Sequence, residues 1–518
     1  MEKMKTANKI LISDCIFTAE KTEPFSGYVA ITDNKISSVG VKEDAKEWAG
    51  NKTEIIELGD KTVMPGCVDN HTFFTGNILK NLGADLSNAK NEAEVIVELK
   101  KYAKNKDKDS PLYGHGWRAD CFGNPYPDAS ILDREFHDRP VALFTEARDN
   151  CWLNTSALNR YGFNRSELHF EFMAKLLREY MSEPKFVRDE YKKFMKLMNR
   201  KGITSVKDIG YDDFYGVLHV LKDMEDNNEM TLRENFAFES VEQPFDLNFI
   251  SKIKDAYNSP FLKFQGISFF TDGCIGDLKA NMLEPYPCRP DTCTISPYNY
   301  GTLEEFILEA DKRGIRITLH AQGDSAVRQC VDLLEKCEKI NGTKNMRHAI
   351  TSLEVSHPDD LERMGKMGMT AEDYGQSMVA YGESIKEILN NTLRPERQFC
   401  LWNHRKMADS GVNLCFVSDI PYMEPDIGDT LYSVAFKHTV DGEPLLTQNA
   451  LTVSEVLKAF SFGGQYNNMS EDILGTLTAG KIADITILDK NVFTWPLEKM
   501  REVNAYMTIS NGCIVYKM

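Results

Sequence analysis

At 518 residues and a formal net charge of −17, the chain is long enough for one large domain with appendages. It is too acidic for a nucleic-acid or anionic-membrane binder, since both need clustered cations. Hydrophobic residues at 42% and charged residues at 27% fit a soluble globular protein, and no apolar run reaches the length of a membrane span.

The short run Ile10-Leu11-Ile12, cut by Asp14, is no signal-peptide core. The twelve cysteines are scattered without a C-x-x-C pair, which reads as reduced thiols and a cytoplasmic setting. The first sixty residues predict short strands over Lys9 to Phe17, Ser26 to Thr32, Lys35 to Val39 and Thr53 to Glu57. Apolar strands then alternate with amphipathic helices. The strands are Val63 to Asp69, Ile203 to Val206, Phe264 to Phe270, Ile315 to Leu319, Ala349 to Val355, Met369 to Glu372 and Val412 to Val417. Helical patterns cover Leu303 to Arg313 and Ala326 to Glu338, so parallel βαβ units closing into a barrel are expected. The stretch of about 76–201 is too long for one crossover and predicts an inserted, mostly helical region (Ala93 to Lys104, Phe170 to Asn199). The C-terminus returns to strand texture at Asp484 to Leu488, Val503 to Ile509 and, after Asn511-Gly512, Cys513 to Lys517. Strand-rich ends around an α/β middle predict that 1–62 and 475–518 meet in a small β-sandwich, with the barrel over 63–474.

Six segments carry a resemblance. They are Val63-Met64-Pro65-Gly66-Cys67-Val68-Asp69-Asn70-His71, Thr271-Asp272-Gly273-Cys274-Ile275-Gly276, Leu319-His320-Ala321-Gln322-Gly323-Asp324, Arg347-His348-Ala349-Ile350, Val417-Ser418-Asp419-Ile420-Pro421, and Leu474 to Asp484. In this order and spacing they resemble the amidohydrolase superfamily, in the amidohydrolase-3 branch that includes N-substituted formamide deformylase. The resemblance implies a (β/α)8 TIM-like barrel of the metal-dependent-hydrolase type. In that family His-x-His, a bridging Lys or acidic group, two further His and a final Asp hold one or two divalent metals. The metal lowers the pKa of bound water to ~7, and the Asp accepts its proton as hydroxide attacks a carbonyl.

Position by position, the resemblance keeps His71, His320 and Asp419 and loses the rest. Phe73 stands at the second His of His-x-His, Ser268 at the bridging Lys, and Ser352 at the sixth-strand His. Asp149 stands where a substrate-contacting His is expected. A two-metal centre cannot be assembled from this set. Two readings stay open for the surviving three: a mononuclear site for one divalent metal, zinc first, or hydrogen-bonding residues of a metal-free pocket.

Other residues also carry alternatives. Phe73 either packs into the vacated ligand position or forms an apolar wall for substrate. Asp272, in the turn after the fourth strand, is a substrate ligand or base, or a turn cap. Glu372 and Tyr374 alternate on one face of the seventh strand; Glu372 is an acid/base or a solvated loop carboxylate. Arg148 beside Asp149 suits a substrate carboxylate or an ordinary surface ion pair. His115 borders the site or bonds within its loop, Cys151 lacks a neighbouring base, and His357 before Pro358 looks like a helix start.

The resemblance implies hydrolysis of an amide, cyclic amide or related C–N bond in a small polar carbonyl compound, with substrate-binding positions drawn from Phe73, His115, Arg148, Asp149, Ser268, Ser352 and Tyr374. Without a metal, His320 and a carboxylate (Asp419, Asp272 or Glu372) would do acid–base work, which equally suits a cyclic-diketone C–C hydrolase, an isomerase or a lyase. A non-catalytic binding protein on the same fold is the alternative from another class. A homodimer is what relatives suggest.

Overall fold

A computed structural model describes residues 6–108, 110–118, 128–145, 151–161, 179, 181–210, 216–240, 246–293 and 300–518. The chain divides into two compact units, one of Met1–Thr72, Lys192–Asp212 and Lys222–Met518, the other of Phe73–Tyr191 and Asp213–Leu221.

In the first unit the two chain ends do meet, in one eight-stranded sheet. Its hydrogen-bonded order is Cys513–Lys517, Ala505–Ser510, Ile485–Leu488, Thr62–Pro65, Lys9–Ile16, Phe25–Thr32 and Lys35–Val41, with Glu54–Glu57 pairing off Lys9–Ile16. The C-terminal hairpin turns at Asn511 and Gly512, both at positive φ (52° and 77°), the geometry for which Asn-Gly is suited. Alternating residues from both ends, among them Leu11, Val29, Ile31, Ile485, Ile487, Met507 and Ile509, fill an apolar core.

Eight parallel strands build the barrel: Cys67–Thr72, Ile203–Gly210, Arg233–Ser240, Leu262–Phe270, Ile317–His320, Ala349–Thr351, Thr370–Tyr374 and Asn413–Val417. They are numbered first to eighth below. A parallel bridge between Thr72 and Ile420 brings the two edges of this sheet together. Asp69 reinforces the seam by accepting the Ser418 backbone N–H at 3.0 Å and the Ser418 hydroxyl, and the Asp419 N–H reaches the His71 carbonyl at 2.9 Å. In the fourth strand Gly266 has φ +120°, and a Cβ there would lie 2.2 Å from the carbonyl oxygen of Arg316, the residue just before the fifth, so only glycine fits.

Seven of the eight strands are foreseen by the apolar runs, whereas the third is not. Arg233-Glu234-Asn235 opens it with three polar residues, all buried. Arg233 makes a bidentate ion pair with Asp484, at 2.7 and 3.0 Å, and Asp484 is the last residue of the C-terminal motif. The return motif is thus an anchor between barrel and sheet.

The second unit has a four-stranded sheet, in the order Cys151–Leu153, Val141–Thr145, Leu112–Trp117 and Ala84–Asp85. Its helices include Phe74–Asn81, Glu92–Ala103, Ala129–Phe136 and Thr155–Tyr161. Leu86, Val95, Leu99, Trp117, Val141 and Trp152 form its core. The expected insertion therefore carries strands as well as helices. No helix among the described residues is long and apolar enough to cross a membrane.

Candidate active site

The C-terminal ends of the barrel strands gather His71, Glu239, Ser268, His320, Ser352, Tyr374 and Asp419. In open-ended barrels this face carries the chemistry, because the strand ends fix side chains while the following loops vary. Ser352 and Asp419 sit just beyond the sixth and eighth strands with left-handed backbones, φ +63° and +56°. A side chain there costs of order 1 kcal/mol or more, and such strain clusters where side-chain direction matters.

One chain of polar contacts runs across this face. The Ser352 hydroxyl donates to the Tyr374 hydroxyl at 3.2 Å, and Tyr374 donates to Asp419 Oδ2 at 3.0 Å. The other Asp419 oxygen lies 3.8 Å from His71 Nε2, and His71 Nδ1 is 3.5 Å from the Thr351 hydroxyl. Beside it the Ser268 hydroxyl donates to Glu239 Oε1 at 3.2 Å.

Burial sets the protonation states. It pushes the Asp419 carboxyl up to about 7, opposed by the Tyr374 hydrogen bond and helped by the nearby Asp69 charge. Glu239 is pushed up to about 8, again by burial first. His320 is pushed down to about 4 by burial, and His71 is held well below its usual value by burial, then by Lys207 and His320. Both imidazoles are therefore neutral near pH 7, and both carboxyls sit where a proton can be taken or given. His320 Nδ1 is buried with no hydrogen-bond partner among the described residues.

Other candidates fall elsewhere. Asp272 accepts backbone N–H groups from Asn281, Gln322 and Gly323 at 2.9 to 3.0 Å, tying together the loops after the fourth and fifth strands. Burial lifts it to about 6 against those three bonds. Glu372 is no loop carboxylate. It lies fully buried, one step deeper on the seventh strand than Tyr374, ion-paired with Lys207. His357 caps the helix Pro358–Lys366, accepting the Asp359 N–H, as its sequence suggests. Phe73 and His115 belong to the second unit, where the Phe73 carbonyl accepts the Asn77 N–H and His115 Nδ1 lies 3.2 Å from the Leu82 carbonyl. Cys151 is on that unit's edge strand, and Arg148 and Asp149 lie outside the described residues.

Two participants are missing from the sequence reading. Glu239 is on the unforeseen third strand, and Lys207 stands one residue past the predicted end of the second. Their signal was a charged residue at alternating spacing within a strand run, which normally reads as a solvent face.

The surviving ligand types do not close into a metal cage. His71 and Asp419 face one another, but among the described residues no three His, Cys, Asp or Glu side chains gather to hold an ion. Ser268 and Ser352 are also taken up internally, Ser268 by Glu239 and Ser352 by Tyr374.

The profile of the amidohydrolase family matches residues 54–516. YtcJ of Bacillus subtilis, described as an amidohydrolase, is 25% identical over 94% of this chain and 96% of its own length. The N-substituted formamide deformylase of Arthrobacter pascens is 20% identical over 98% of each chain. An uncharacterized metal-dependent hydrolase from Pyrococcus horikoshii shares the fold with a TM-score of 0.77 and 21% identity, over 94% of this chain and 99% of that one. That protein is described as metal-dependent; among the described residues of this chain no donor set gathers to hold an ion. The match along nearly the whole chain places it in the amidohydrolase family, as a hydrolase acting on carbon–nitrogen bonds.

Proposed function

We propose that this chain hydrolyses the C–N bond of a small polar amide or cyclic amide at the C-terminal mouth of the barrel, with its own side chains moving the protons. The observation that carries this reading is the chain Ser352–Tyr374–Asp419–His71. A separation of 3.8 Å between His71 Nε2 and Asp419 Oδ1 suits one water held by both. Asp419 takes a proton from that water as its oxygen attacks the carbonyl carbon. Tyr374 holds the other carboxylate oxygen and so orients the base. Neutral His320 donates from Nδ1 to the carbonyl oxygen as negative charge develops there. When the tetrahedral intermediate collapses, the C–N bond breaks and the proton on Asp419 passes to the leaving nitrogen. A carboxylic acid and an amine result, with Asp419 ready for another turn.

The test is amine release from a panel of N-substituted formamides, linear amides and lactams, before and after dialysis against EDTA, with metal content measured alongside. Wild type is expected to turn over at least one class with well under one metal per chain and to keep that activity after dialysis. Asp419→Asn should lose about 10³-fold in kcat with no fall in Tm. Stoichiometric metal whose removal abolishes turnover would sink the metal-free steps, and Asp419→Asn activity within tenfold of wild type would sink the role of the base.

A further inference from the structure

Beneath the reacting face lies an ion pair that a barrel interior does not ordinarily contain. Layers inside such barrels are filled mostly by branched apolar residues. Here the Lys207 ammonium, from the second strand, contacts Glu372 of the seventh, and both side chains have no exposed surface. The ammonium also donates to Thr318 at 3.3 Å, two residues before His320 on the fifth strand. Asn467 steadies the carboxylate, donating to Glu372 Oε1 at 2.9 Å and to Asn70 at 3.0 Å, and Arg316 bonds Asn467 in turn. The remaining oxygen, Glu372 Oε2, is buried without a partner among the described residues.

Stability does not explain this arrangement. Desolvating two charges costs several kcal/mol per ion, and apolar replacements of such pairs are often neutral or stabilising. The ammonium reaches, through Thr318, the strand that ends at His320, and its charge acts on His71 and Glu239, whereas Cys415 and Arg316 feel both members of the pair.

We propose that Lys207 is a built-in cation for this site, supplying from the chain the positive charge that a metal ion supplies in metal-dependent hydrolases. The inference rests on reading the mouth as a hydrolytic centre. Lys207 touches no substrate; it stabilises the developing oxyanion through space and is a positioning residue, with Glu372 and Asn467 fixing its direction. The donor set that fails to form a metal cage and the buried ammonium below it then have a common account: the site's positive charge has moved from an ion to a side chain.

The test pairs replacement of both ions with replacement of one. Lys207→Met with Glu372→Met in one chain removes both, while Glu372→Gln removes the carboxylate that keeps Lys207 protonated against burial. Binding of methylphosphonate, a tetrahedral anion, is followed by ³¹P NMR titration, with N-methylacetamide as the neutral probe. The double variant should bind methylphosphonate at least about tenfold more weakly, bind N-methylacetamide within twofold of wild type, and lose kcat at least about tenfold with KM nearly unchanged. Glu372→Gln should likewise bind methylphosphonate at least about tenfold more weakly and N-methylacetamide within twofold of wild type. A purely structural pair predicts otherwise: weakened binding of both probes in each variant, or no change in either. Either result would overturn the proposal, as would a wild type that binds no methylphosphonate. Because anion binding needs no turnover, this outcome separates from failure of the hydrolytic reading, which Asp419→Asn reports.

Discussion

The first unit contains two strand-built interiors with opposite contents. The sheet made from the chain ends is packed with Leu11, Val29, Ile31, Ile485, Ile487 and Ile509, all fully buried and all apolar. The barrel interior buries Asp69, His71, Lys207, Glu239, His320 and Glu372 instead. Burying apolar surface contributes about 25 cal/mol per Å², whereas each buried polar group must first recover its lost hydration. The sheet core therefore serves stability, and the barrel interior gives up stability to keep ionisable groups in fixed, water-poor positions. Mutations should split along that line.

The largest effect expected on the sheet side is from Ile487→Ala. The side chain has no exposed surface, so its removal leaves a cavity and should cost about 2–5 kcal/mol in denaturant unfolding. The folded fraction should keep its kcat within twofold. A stability loss under about 1 kcal/mol, or a tenfold fall in kcat at intact Tm, would break the comparison.

On the barrel side Tyr374→Phe comes next. It removes the hydroxyl that accepts from Ser352 and donates to Asp419 while leaving the ring in place. The lost bond should cost about ten- to a hundredfold in kcat/KM. The direction of the pH effect follows from the Tyr374 bond, which holds the Asp419 carboxyl down toward about 7. Without it the carboxyl ionises at higher pH, and since the base works ionised, the acid limb of kcat/KM should move upward. An acid limb that stays put would mean Tyr374 does not orient the base.

The contrast also explains what could be read from the chain alone. Apolar alternation marked the sheet strands and seven of the barrel strands, because those segments obey the ordinary rule that buried faces are apolar. The ends meeting in one sheet followed from the same pattern. The third strand broke the rule at Arg233, whose partner Asp484 is 251 residues away in sequence, so no local pattern could announce it. Missing that strand also hid Glu239. The resemblance singled out His71, His320 and Asp419, whose strands end on one face, and also Ser268 and Ser352, but not what those serines bond. Asp272 and Glu372 were each named as a possible acid or base; the fold gives the first three backbone N–H groups and the second a buried ammonium. A carboxylate's partners depend on strand register across the barrel, and register is a property of the closed sheet, not of any segment.

The smallest effect tests whether the barrel's buried acids cost stability as argued. Glu239 is pushed up to about 8 by burial, against an ordinary value near 4.3 for the unfolded chain. Between those two values the folded chain holds a proton that the unfolded chain has released, so stability falls as pH rises through this window. Glu239→Gln keeps an acceptor for the Ser268 hydroxyl and removes the titration. Wild type and variant should therefore melt together near pH 4.5, and the variant should gain a few degrees by pH 8.5. Asp69 and Asp419, raised by burial to about 7, impose slopes of the same sign in both proteins, so the widening gap isolates Glu239. Melting curves that stay parallel from pH 4.5 to 8.5 would mean the carboxyl ionises freely inside the barrel, with the Lys207 charge close enough to hold it.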